Sequence, residues 1–151
     1  MKKIPLTQGK FSIVDDSDFE WLNQWKWHYL NIGYAARRDY SQKGKYVYMH
    51  RLIIGFPTNY QADHINRNKL DNRRSNLRMA TKSQNMVNTD LRITNTSGYR
   101  GVYWDKNRNK WVAEIMIHYK KKHLGRFIHK EDAAKAYLYE SKESFGEFAA
   151  T

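Results

Sequence analysis

Gln61-Ala62-Asp63-His64-Ile65-Asn66 opens the stretch on which the fold turns. After a turn-rich connection come Ser75-Asn76-Leu77-Arg78-Met79 and then Thr81-Lys82-Ser83-Gln84-Asn85-Met86-Val87-Asn88. Gln61 to Ile65 reads as a short strand. Asn66 to Arg74 is rich in Asn and Asp, whose side chains hydrogen-bond their own backbone in turns. Leu77 to Met79 reads as a second short strand. Thr81 with Gln84 three residues later fits a capping box, so a helix is expected to start at Thr81 and to carry Asn85 in its early turns. Strand, loop, strand, helix is the local order, and it gathers an acid, an imidazole and two amides into one small unit.

Those residue types suit phosphodiester cleavage. Water must be activated near neutral pH, and His is the side chain whose unperturbed pKa matches that task. Charge building on the phosphate and the leaving 3′ oxygen is stabilised by a divalent cation, and carboxylate and amide oxygens are hard ligands that suit Mg²⁺ with water completing its shell. No cysteine is present, which excludes thiolate zinc sites and disulfides. One geometric condition follows. Neighbouring strand residues point to opposite faces, so Asp63 and His64 address one phosphate only if the strand ends or twists there, which a loop from Asn66 would allow. The plainer alternative is a polar surface loop with His64 packed against it.

Asp63-His64, Asn72-Arg73-Arg74-Ser75-Asn76-Leu77-Arg78 and Gln84-Asn85, with Met49-His50-Arg51-Leu52 upstream, resemble the HNH endonucleases of the ββα-metal type, in particular those of phages and mobile introns. The resemblance implies His64 as general base, Asp63 and Asn85 as ligands of Mg²⁺ (Mn²⁺ being the alternative), and Asn76 as the residue holding the loop that orients His64. No small-molecule cofactor is expected.

Twenty-seven Lys and Arg against fifteen Asp and Glu give a formal net charge of +12. Residues 1–60, 61–96 and 97–151 each carry a net +4. So even a spread favours an extended polyanion such as double-stranded DNA over one basic tail. RNA-binding proteins share that balance. The longest apolar cluster, 52–56, is too short to span a bilayer, and no apolar run follows Met1-Lys2-Lys3, so no membrane association is expected. A reducing cytoplasm is the expected location, that of the host cell if the chain is phage-encoded, and a monomer the expected state.

Upstream of the central motif, Lys10 to Val14 alternates as a strand, and Asp15-Asp16-Ser17-Asp18 offers caps for a helix from Asp16 to Trp25. Trp27 to Leu30, Gly33 to Arg38 and Lys45 to Met49 read as strands separated by turns. Tyr34, Arg37, Arg38, Lys43 and Lys45 are candidate phosphate contacts from that sheet, and Arg51, Arg73 and Arg74 from the central motif; the alternative is a solvated charged face. Met49, Leu52, Ile53 and Phe56 fall at helical spacing, stopped by Gly55 and Pro57, and that helix should back the 61–79 hairpin. His50 and Arg51 lie off its apolar stripe, which leaves His50 as either a second catalytic group or an ordinary hydrogen-bonded histidine.

Residues 91–96 lack apolar periodicity and read as a linker between a domain over 1–90, core motif 49–88, and another over 97–151. In the latter, Gly98-Tyr99-Arg100-Gly101-Val102-Tyr103-Trp104, Lys110-Trp111-Val112-Ala113-Glu114-Ile115, Leu124-Gly125-Arg126-Phe127 and Glu131-Asp132-Ala133-Ala134-Lys135-Ala136-Tyr137 resemble the AP2 DNA-binding domain. This implies a three-stranded antiparallel sheet followed by one helix, so the whole chain is expected to be α+β: a ββα-metal unit with a small N-terminal sheet, then the AP2-like unit. Trp111, Ala113, Ile115 and Ile117 share one strand face and Val112, Glu114, Met116 and His118 the other, so one can cover a helix while the other meets DNA. By resemblance Arg100, Glu114, Lys121 and His123 face DNA. Tyr103 and Lys110 join them as candidates, and Lys120-Lys121-Lys122 is read as a phosphate contact. Two rival readings remain: an AP2-type regulator whose HNH unit has decayed, and an RNA-binding protein.

Overall fold

The computed structural model describes residues 1–55 and 59–149. The chain divides into two compact units, Met1–Thr81 and Lys82–Thr151. The division falls ahead of the 91–96 segment read as a linker.

In the first unit, β1 (Lys2–Pro5) and β2 (Phe11–Val14) form an antiparallel hairpin. β1 was not legible in the sequence, because Pro5 and two lysines mask its alternation. Helix α1 (Asp16–Asn23) follows, shorter than expected, and then an antiparallel sheet in the order β3 (His28–Tyr29), β4 (Ala35–Asp39), β5 (Lys45–Tyr48). Helix α2 (Met49–Ile54) leads directly off β5. Phe56 and Pro57, expected to complete and stop it, lie outside the described residues. The last hairpin pairs β6 (Gln61–His64) with β7 (Leu77–Ala80), His64 opposite Leu77.

One core holds these pieces: Ile4, Val14, Leu22, Trp27, Ala35, Met49, Ile53 and Leu77, ringed by Phe19, Trp21, Trp25 and Leu70. Trp27 is 1 % exposed, and its indole N–H donates to the Leu22 carbonyl at 2.8 Å, so the largest core side chain leaves no polar atom unmatched. Helix α2 packs against both strands of the β6–β7 hairpin, as its apolar spacing anticipates. The long loop between those strands lies on β2: Ile13 N–H donates to Leu70 O and Asn72 N–H to Ile13 O, each at 2.8 Å.

In the second unit, helix α3 (Lys82–Val87) is followed by an antiparallel sheet in the order β8 (Val102–Asp105), β9 (Lys110–Ile117), β10 (Lys120–Phe127) and then α4 (Lys130–Phe145). Val102, Ala113 and Ala133 are buried between sheet and helix with Trp111, Leu124, Phe127, Ala134 and Ala136 around them. The small alanines of α4 permit that close approach. Residues 91–96 are folded rather than extended. Asn95 accepts from Gly98 N–H at 2.7 Å and donates to Tyr99 O at 2.9 Å, and Ser97 is buried.

Gly101 is the tightest point of this unit. Its φ is +65°, its carbonyl accepts the Glu114 N–H, and a Cβ there would lie 2.3 Å from Glu114 O and 2.4 Å from the Tyr137 ring. Left-handed backbone and overpacking both oppose a side chain. Gly101→Ala is therefore expected to destabilise the second unit by at least about 2 kcal/mol, read as a lower urea midpoint for the transition that disrupts the Trp104–Trp111 ring pair.

Candidate active site

Strand β6 ends at His64, where the chain turns back: Arg67, at φ +63°, donates its N–H to His64 O at 2.8 Å. Asn76 clasps the loop that follows. Its Oδ1 accepts from Asn66 N–H at 3.0 Å and its Nδ2 donates to Asp71 O at 2.8 Å, so one amide holds both ends.

The orienting contact to the imidazole comes from Asn72, a residue to which sequence reasoning gave no role. Asn72 is fully buried. Its Oδ1 lies 3.1 Å from His64 Nε2 and its Nδ2 2.7 Å from Ser12 Oγ. Ser12 directs its own hydroxyl proton to Leu70 O at 3.1 Å and so must accept from Asn72. That fixes the amide: Oδ1 faces His64 and accepts from Nε2–H, which leaves Nδ1 as the basic nitrogen. Ser12 and Asn72 are far apart in sequence, so no local pattern announces the pair.

His64 is 4 % exposed, and burial pushes its pKa below the ordinary histidine value, against the raising influence of the Asn72 bond and of Asp63 and Asp71. Asp63 is also 4 % exposed, and its Oδ2 accepts from Arg78 Nε at 2.8 Å, its partner across the hairpin. The strand alternation thus survives in the immediate partners, Asp63 meeting Arg78 and His64 meeting Asn72. Burial raises the Tyr34 hydroxyl's pKa, and the charge of Asp63, which also reaches His64, raises it further.

Rings close the site. Tyr34 packs on His50, Tyr48 and His64 with centroids 4.9, 5.9 and 5.9 Å away, and Lys69 Nζ sits 4.8 Å above it. His50, read as lying off the apolar stripe, is buried against His64 rather than turned to solvent. Arg51 stacks on Tyr48 at 5.3 Å. Among the described residues no three His, Cys, Asp or Glu side chains cluster as a metal site.

A family model described as HNH endonuclease matches residues 47–87. Over 145 residues the chain is 30 % identical to an uncharacterized HNH endonuclease of Acanthamoeba polyphaga mimivirus, covering 95 % of this chain and 75 % of that protein. The chain belongs to the HNH endonuclease family. Protein 3.8 of Escherichia phage T7 is 37 % identical over 59 residues, 39 % of this chain and 49 % of that one. No solved structure matches. Among the described residues no helix is long and apolar enough to cross a membrane.

The remaining candidates of this HNH endonuclease are placed unevenly. Asn85 is half-buried on α3, in the second unit. Arg73 and Arg74, expected at phosphates, instead clip the loop. Arg73 donates to both oxygens of buried Asp71 at 2.7 Å, and Arg74 to both oxygens of Asp18 at 2.8 and 2.7 Å. Buried carboxylates demand such partners. Arg37 lies over Trp25 at 4.6 Å, and Arg38 donates to Gly44 O and Tyr46 Oη.

In the second unit Glu114, Met116, Lys121 and His123 share the sheet face opposite α4, with Tyr103 and Lys110 on the same face. Tyr103 Oη donates to Glu114 at 3.0 Å. Lys122, paired with buried Ile115, points the other way and meets Glu140 of α4 at 2.7 Å; Lys120 shares its parity. Reading 120–122 as one phosphate contact is thus corrected, because a strand sends alternate side chains to opposite faces. Arg100 donates to the Thr89 carbonyl and to its Oγ1. Arg126 was missed. A bulge between His123 and Gly125 shifts the alternation and brings Arg126 onto the outer face.

The Arg74 clip has a measurable consequence. Asp18 is 2 % exposed, so Arg74→Ala leaves a buried carboxylate with Trp21 Nε1–H as its remaining side-chain donor. A loss of about 2 to 3 kcal/mol in unfolding free energy is expected, while the salt dependence of DNA binding stays as in the parent.

Proposed function

We propose that this chain is a divalent-metal-dependent DNA endonuclease in which His64 is the general base. The observation that carries the reading is the proton inventory of His64: Nε2–H committed to Asn72, Nδ1 basic, and the ring held neutral by burial. Nδ1 takes the proton of a water as that water attacks phosphorus, and the 3′ oxygen departs. Asn72 keeps the tautomer and Asn76 the loop, so the ring is oriented before substrate arrives. Asp63 and Asn85 would hold the cation, Mg²⁺ or Mn²⁺, which when bound supplies Lewis-acid stabilisation of phosphate charge. Arg51 and Lys69 add positive charge beside the site.

The second unit, in this reading, is an AP2-like anchor that lays the outer face of β8–β10, with Tyr103, Lys110, Glu114, Lys121, His123 and Arg126, against duplex DNA. One observation favours the rival of a decayed nuclease: Asp63 is ion-paired with Arg78. A chain that binds plasmid yet never nicks it at any Mg²⁺ concentration is that rival.

Incubation of supercoiled plasmid with Mg²⁺ tests the proposal, nicked and linear products being separated on a gel. His64→Ala is expected to lose at least about 100-fold in rate with DNA affinity within a few-fold, and chelator should stop cleavage reversibly. Because burial lowers the His64 pKa, the acid limb of kcat/KM should lie below the ordinary histidine value. Wild-type rate in His64→Ala, or cleavage indifferent to chelator, refutes the mechanism.

The anchoring face is tested by salt. Arg126→Ala and Lys121→Ala should each reduce the slope of log affinity against log salt by roughly 0.9. Lys122→Ala should leave that slope unchanged, since its ammonium is turned to Glu140.

A further inference from the structure

We infer that His50 is a second catalytic residue, a fixed neutral donor that presents Nε2–H to an oxygen of the scissile phosphate beside His64. The inference rests on the reading of His64 as the base. His50 lies in the first turn of α2 and is 6 % exposed. Its ring is walled by Tyr34 at 4.9 Å, Tyr48 at 5.6 Å and His64 at 5.2 Å, the last edge-on at 78°. Nδ1 is sealed from solvent and has no hydrogen-bond partner among the described residues.

A neutral imidazole carries one N–H and one lone pair. Orphaned buried N–H groups are rarer than under-satisfied acceptors, so the lone pair belongs on Nδ1 and the proton on Nε2. Since Nδ1 is unreachable, any bond from this ring to an outside oxygen runs through Nε2–H. A core histidine kept only for packing would give Nδ1 a partner. This one has none and stands against the ring of the base.

The groups around it keep the ring uncharged. Burial is the largest influence, His64 and Arg51 add to it, and the pKa falls to about 3; Tyr34 and Tyr48 are the other ionisable side chains packed on the ring. Across the range in which His64 works, His50 therefore offers the same single N–H. A donor aimed beforehand at the place where phosphate charge develops stabilises the transition state more than the ground state. It also does so without placing a cation against His64, which would weaken the base.

The full-length chain tests this with plasmid, Mg²⁺ and single-turnover kinetics. His50→Phe keeps a flat ring and the packing but lacks the donor, and should retain its thermal midpoint and DNA affinity while losing roughly 100-fold in the cleavage step. His50→Gln, which restores a donor, should recover at least about tenfold of that loss. In the wild-type protein, ¹⁵N shifts of the His50 ring at neutral pH should show the Nε2–H tautomer, a readout independent of activity and of any variant's folding. His50→Phe cleaving at the parent rate, His50→Gln no better than His50→Phe, or an Nδ1–H tautomer would each overturn the assignment. If His64→Ala also cleaves at the parent rate, the failure lies with the general-base reading instead.

Discussion

The buried amide of Asn72 is the interaction on which the first unit depends. It joins three pieces remote in sequence: Ser12 on the N-terminal hairpin, the loop that carries Asn72 itself, and His64 at the end of β6. An amide buried without partners would be costly, so the same bonds that satisfy it also fix which ring nitrogen of His64 carries the proton. Fold and chemistry are thereby set by one network. The N-terminal hairpin, remote from the HNH motif in sequence, becomes a support for the loop that carries Asn72, since Ile13 accepts and donates backbone bonds to it.

Positive charge is used in two ways in this HNH endonuclease. Part of it is consumed within the fold: Arg73 on Asp71, Arg74 on Asp18, Arg78 on Asp63 and Lys122 on Glu140. Three of those carboxylates are almost fully buried and would be untenable alone. Other cations are exposed on the sheets, as at Lys121 and at Arg126 beside Asp105, where duplex DNA could draw on them. A net charge of +12 is therefore compatible with a polyanion partner without each cation being a contact. The clips also explain how a loop as polar as 66–76 stays ordered: nearly every short side chain in it answers a backbone or side-chain partner, as in the Asn66 and Asn68 turns.

In the second unit a single irregularity decides which cations face outward. Leu124 keeps the inward parity of Lys122, and the bulge between His123 and Gly125 then carries Arg126 to the same face as His123 and Glu114. Gly125, at φ +138°, accommodates the break. Strict alternation from Lys121 would have put Arg126 inside.

The sequence alone determined the elements and the chemistry types. Strand alternation and capping residues made β2, α1 and β3 to β7 readable, the resemblance of 98–137 to the AP2 domain implied the three-strands-then-helix order of the second unit, and Asp63-His64 with Asn76 stood out as site candidates. Local patterns carry that information because strand and helix periodicity are properties of adjacent residues. Tertiary structure decided the partners: Asn72 on His64, His50 buried against His64, Arg74 on Asp18, and the face of Arg126. Those depend on residues brought together across tens of positions, or on one bulge that resets a count. Hydrogen-bond matching and burial, not spacing along the chain, select them.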